Sequence, residues 1–131
     1  MFPASPRSDR LQTKEYVLAV RIGAARKAFP LRTFAREPVV NDRVGATSVV
    51  VLGNVETRTG RAYERGPWSF RPGSAPGELL EAGTGARWRV EEERLVNPAT
   101  GEALPRAGAH VVYWFGWYAF FPDGEVYGTP R

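Results

Sequence analysis

Apolar and polar residues alternate along this chain in short stretches divided by Gly and Pro, a pattern of strands joined by turns. In Tyr16–Ile22, Leu18, Val20 and Ile22 share one face at period two. Gly23-Ala24-Ala25 then predicts a turn, and Arg26 to Phe29 a returning hairpin strand that Pro30 ends. Leu31 to Arg36 predicts one short helical turn behind that proline. Pro38 to Asp42 leads to a further turn at Gly45. Ser48-Val49-Val50-Val51-Leu52 is apolar on both faces, as a central strand requires. Shorter strands are predicted at Arg61–Arg65, Trp68–Phe70, Leu79-Leu80, Arg87–Val90 and Leu95-Val96.

One segment resists this reading. Seven of the nine residues from Tyr113 to Phe121 are aromatic, out of sixteen aromatics in the chain. Valine and aromatic content favours a strand over 111–121. A helix would instead line up Trp114, Trp117, Tyr118 and Phe121 at i, i+3, i+4 and i+7. Either way, large aromatics at this density read first as core.

With 131 residues the chain has the size of a single domain, able to bury a core without disulfides or metals. It has no cysteine, which excludes disulfides, thiol catalysis and thiolate metal sites. Its one histidine, His110, excludes a His-based metal cluster within one chain. No metal site and no cofactor are predicted. The formal charge of +4 is uneven. Residues 1–36 hold eight Lys or Arg against two acids, and residues 37–131 hold ten against twelve. A basic N-terminal third could meet nucleic acid or an acidic partner, but no basic run exceeds Arg26-Lys27, and a solvated surface is the simpler reading. No apolar run is long enough for a membrane-spanning helix. No basic and apolar leader opens the chain, so it reads as soluble and cytoplasmic as written, or extracytoplasmic if a leader has been removed.

Catalytic motifs are sparse. Neither a phosphate-binding glycine loop nor a Gly-x-Ser-x-Gly elbow occurs, and no catalytic residue is assigned. Glu91-Glu92-Glu93 reads as a solvated turn. Asn41-Asp42 suits turn chemistry, or a polar site at the mouth of the sheet. Trp88 between Arg87 and Arg89 fits a strand with Trp inward, or a stacking surface with flanking guanidinium groups. His110 reads as a structural residue, or as a ligand contact.

Several phrases share one order: Lys14-Glu15-Tyr16-Val17-Leu18-Ala19-Val20, Lys27-Ala28-Phe29-Pro30-Leu31, Val40-Asn41-Asp42-Arg43-Val44-Gly45, Thr84-Gly85-Ala86-Arg87-Trp88, and Trp114-Phe115-Gly116-Trp117 running into Phe121-Pro122-Asp123. Over roughly residues 14–127 the chain resembles the bacterial and archaeal family called domain of unknown function 3179. Many members of that family carry Cys-Pro-Leu-Cys after the apolar strand, and the resemblance implies thiol redox chemistry or soft-metal binding there. Counted from Val49-Val50-Val51, those cysteines fall on Asn54 and Thr57 here, and the family's His before Pro-Asp falls on Phe121. The resemblance also favours a helix over 111–121.

The expected fold is therefore α+β: a small, twisted, mostly antiparallel sheet or open barrel with a C-terminal aromatic helix packed on it. Residues 1–13 are expected as an extended lead-in and 14–131 as one β-rich domain. The expected function is a non-catalytic binding or protein-interaction module, a redox-dead relative of its family. One alternative is an enzyme or cofactor-binding protein with a polar cleft near Asn41 and Asp42, and a second is a basic nucleic-acid-binding domain. The partner is expected to be another protein, with a small-molecule ligand as the second choice. Candidate binding residues are Asn41, Asp42, Asn54, Thr57, Arg87, Trp88 and His110.

Overall fold

The computed structural model describes residues 15–114 and 125–128. It shows eleven strands in chain order: β1 Tyr16–Ile22, β2 Ala25–Pro30, β3 Val39–Val44, β4 Thr47–Asn54, β5 Thr59–Glu64, β6 Phe70–Pro72, β7 Glu78–Glu81, β8 Arg87–Val90, β9 Arg94–Val96, β10 Ala103–Tyr113 and β11 Glu125–Val126. All pairings are antiparallel except β11 with β2. The only helical element wholly within the described residues is a single 3-10 turn, Leu31–Ala35, which buries Leu31 and Phe34.

The longest strand is the hub. Residues 103–105 of β10 pair with β9, Arg106 and Ala107 pair with β5, and residues 108–113 pair with β1. One path runs β11-β2-β1-β10-β9-β8-β7-β6, and a branch leaves β10 through β5 and β4 to β3. The sheet curls into a nearly closed barrel with two lobes that share β4, β5 and β10.

Alternation on the shared strands supplies both lobes. Val49 and Val51 of β4 and Ala62 of β5 point into the first, with Leu18, Val20, Phe29, Phe34, Val40, Val44 and Ala107. Val50 and Tyr63 point into the second, with Phe70, Leu79, Trp88, Leu95 and Leu104. This is why Ser48–Leu52 is apolar throughout. Glycine makes the first lobe tight. A Cβ on Gly53 would overlap the Phe34 ring, and one on its cross-strand partner Gly60 would overlap Leu18. A third cluster lies on the other face of β1 and β2, where Val17, Ala19, Ala28 and Val126 bury Trp114 completely.

The expectation of an α+β fold with a C-terminal helix is corrected. The described residues form an almost all-β protein. Of the segment expected as helix, 111–113 ends β10, with Val111, Val112 and Tyr113 registered on Leu18, Val17 and Tyr16. Ladder bonding to β1 and the β-branched valines outweigh the helical aromatic spacing there. Trp114 is core, while Trp117 and the rest of the aromatic run fall outside the described residues.

Candidate functional site

Two neighbouring residues of β3 close the two lobes. Among the described residues the strand pairs with β4 along one edge only, and period two sends Asn41 and Asp42 to opposite faces. On one face the Asn41 amide donates to the Phe70 carbonyl at 2.7 Å and accepts the Phe70 N–H at 2.8 Å. Those bonds copy a backbone ladder pair and join β3 to β6, the end of the other path. On the opposite face Asp42 takes the Lys27 ammonium at 2.7 Å, joining β3 to β2. Lys27 also lies 5.9 Å from the ring centres of Phe29 and Tyr127. The Tyr127 hydroxyl is held above the usual phenol range, first by burial and then by Glu37, to which it donates. Arg65 fastens the same edge, donating to the carbonyls of Val49, Trp68 and Asp42.

The Thr84–Trp88 phrase is also tied inward. Trp88 is fully buried and donates its indole N–H to Glu81 at 3.1 Å, while the Thr84 hydroxyl donates to the other oxygen of that carboxylate at 2.7 Å. Arg87 points outward, 3.9 Å from Glu78. His110 is exposed on β10, opposite Ala19.

Asn54 ends β4, and its side-chain oxygen accepts the Thr57 N–H at 3.0 Å across the β4–β5 turn. The Thr57 hydroxyl shares a 2.7 Å hydrogen bond with Thr59. The next residue, Arg58, has φ of 54°, the one described non-glycine residue in the left-handed region. Its guanidinium lies 4.6 Å from the centre of the Tyr16 ring, which itself stacks on Tyr113 at 4.6 Å. The two hydroxyls share a 3.1 Å hydrogen bond, and the Tyr113 hydroxyl is held above the usual phenol range by its pairing with Tyr16.

The seven candidates do not form one cleft. Asn41 is registered on Val50, four residues before Asn54 on β4, a separation of about 13 Å along the strand. Trp88 lies inside the second lobe and His110 on the sheet's outer face. What adjoins Asn54 is a groove of about 340 Å³ lined by Leu52, Gly53, Asn54, Thr59, Gly60, Arg61 and Val90. A second hollow of about 250 Å³ shares Leu52 and Val90 and extends past Val39, Leu79 and Pro72 to Glu78. Sequence reasoning found Asn54 and missed Arg61, Thr59, Leu52 and Val90. The signal was the hairpin register: pairing Asn54 with Thr59 puts Arg61 opposite Leu52 on the same face.

Of the phrases quoted above, those holding Lys27 and Asn41-Asp42 thus sit at the closures of this fold, and Thr84–Trp88 is tied into the second lobe. The family described as "Protein of unknown function (DUF3179)" matches residues 1–124. The chain belongs to this family. The match takes in the residues expected as a lead-in as well as the domain that follows. No curated protein and no solved structure matches it significantly.

Proposed function

We propose that this protein is a binding module that holds an extended segment of another protein in the groove beside the end of β4. The observation that carries this reading is that the two hollows adjoin, with Leu52 and Val90 lining both. Each is near the lower size limit of a ligand pocket, and we read the adjoining pair as one elongated trough with mainly apolar walls. The polar groups on which an enzyme reading would rest are already engaged. Both ends of the Asn41 amide are bonded, Asp42 is paired with Lys27, and Glu81 is held by Trp88 and Thr84. A nucleic-acid reading is likewise weaker, because Lys27 and Arg32 of the basic third are paired with Asp42 and Glu15.

A peptide library displayed on phage and selected on the folded protein tests this. Selected peptides should shift the amide resonances of Leu52, Asn54, Thr59, Arg61 and Val90, and Leu52→Arg should abolish binding while leaving the circular dichroism unchanged. Failure to select any peptide, or shifts confined to another surface, would overturn it.

A further inference from the structure

We infer that the segment held in this groove carries a carboxylate side chain, Asp or Glu, which pairs with Arg61. The inference rests on the binding reading above and adds its specificity. Arg61 is half-buried and lines the groove opposite Leu52. Other half-shielded arginines of the second lobe are engaged: Arg65 with three carbonyls, Arg106 with the Glu92 carbonyl and 3.9 Å from its carboxylate. The Arg61 side chain forms no hydrogen bond or ion pair with the described residues.

A partly desolvated cation beside apolar walls is a recognition element. It loses hydration without gaining a partner until an anion arrives, and it discriminates against neutral ligands. The number and sign of charges favour a carboxylate. Among the described residues Arg61 is the only cation lining either hollow, and the other charged residue is the Glu78 carboxylate at the far end. A single planar guanidinium matches one carboxylate with two parallel hydrogen bonds. A phosphate dianion would be only half-neutralised by this single cation. Asn54 and Thr59, a cross-strand pair on the Arg61 face, supply neutral polar groups beside it. The Leu52–Val90 wall accepts aliphatic side chains next to the acid. The occupant is therefore an extended acidic-aliphatic segment with its acid at the β4–β5 end of the trough.

Two matched arrays of decapeptides with blocked ends test this. One carries a single Glu and two Leu at varied separations, and the other has Gln in place of Glu. Binding is read by fluorescence polarisation on the intact protein and on Arg61→Gln and Arg61→Lys, with folding checked by circular dichroism. The best Glu peptides should bind about tenfold or more tightly than their Gln partners, and added salt should weaken only the Glu series. Arg61→Gln should erase the difference and Arg61→Lys retain part of it. Equal binding of the two arrays to the unaltered protein overturns the carboxylate while leaving the peptide groove standing, whether or not the variants fold. Binding by neither array overturns the groove reading itself.

Discussion

The first lobe encloses aliphatic side chains and Phe29 and Phe34 between β1–β2 and β3–β5, with glycines where strand and ring press closest. Its strands are six to eight residues long apart from the hub. The second lobe is built from β6–β9, strands of three or four residues. Short strands make few ladder bonds, and here side chains make up the deficit. Asn41 substitutes for a ladder pair, Trp88 and Thr84 hold a buried carboxylate, and the Tyr63 hydroxyl donates 2.6 Å to the Glu91 carbonyl from inside the core. Apolar burial and hydrogen-bonded strands carry the first lobe, whereas specific polar ties carry the second. The groove opens against the second, which is where a few side chains set the shape of the walls.

Trp88→Ala is expected to have the largest effect. Removing a fully buried Trp costs about 3–5 kcal/mol, a large share of a typical total of about 5–15 kcal/mol. It also leaves Glu81 without one of its two donors. The melting temperature should fall steeply, and hydrogen exchange should accelerate in β6–β9 before β1–β2. Uniform loss of protection would show instead that the shared β4 makes the lobes one cooperative unit.

The same contrast governs how much of the protein was legible in its sequence. The first lobe follows from alternation: Leu18, Val20 and Ile22 on one face, and a β4 apolar on both. The hub β10 was not legible over its first half, because Ala103-Leu-Pro-Arg-Ala-Gly-Ala109 carries Pro105 and Gly108 and no β-branched residue. Its strand state comes from pairing with β9, β5 and β1 together, which no local window contains. Residues 111–113 belong to the segment expected as a helix because the local pattern fits both periods and the family resemblance favours the helix. At the groove, Asn54 was reached through the family resemblance. Arg61 was passed over because a lone arginine in a strand looks like any solvated one until its neighbours are known.

Asn41→Ala should come next. It leaves the Phe70 N–H and carbonyl without their partners, at about 1–3 kcal/mol. The loss should fall on the β3–β6 seam, with faster exchange of the Phe70 amide and little change in β1–β2. Asn41→Asp sharpens the point. A carboxylate can still accept the Phe70 N–H but faces the Phe70 carbonyl without a proton to donate, so it should recover little stability. If Asn41→Asp is as stable as the unaltered protein, the side-chain ladder is not what holds the second lobe shut.

The matching seam of the first lobe should be less sensitive. Lys27→Met keeps the aliphatic stem against Phe29 and removes the ammonium from Asp42. Both side chains retain some exposure, 16% and 21%, so solvent screens the pair and the expected loss is about 1–2 kcal/mol. Salt should narrow the gap between the two proteins. A loss larger than that of Asn41→Ala, measured by urea unfolding, would invert the comparison of the lobes.

The smallest effect tests the outermost polar tie of the second lobe. Glu91 sits at the turn between β8 and β9, where hydrogen bonds from Arg89 and then Arg94 hold its carboxyl below the ordinary carboxylate range. A carboxyl lowered in the folded state contributes stability that is fully present above its unfolded value and is lost as pH falls through the lowered folded value. Carbon-detected NMR titration should therefore find Glu91 ionising below the ordinary carboxylate range, and Arg94→Gln should raise it while leaving the melting temperature near neutral pH almost unchanged, because the group is at the surface. The Tyr63 hydroxyl grips the Glu91 backbone, not its carboxyl, so the turn should persist in that variant. If Glu91 titrates as an ordinary carboxylate in the unaltered protein, the clip is not formed in solution, and the polar ties of this lobe end at its interior.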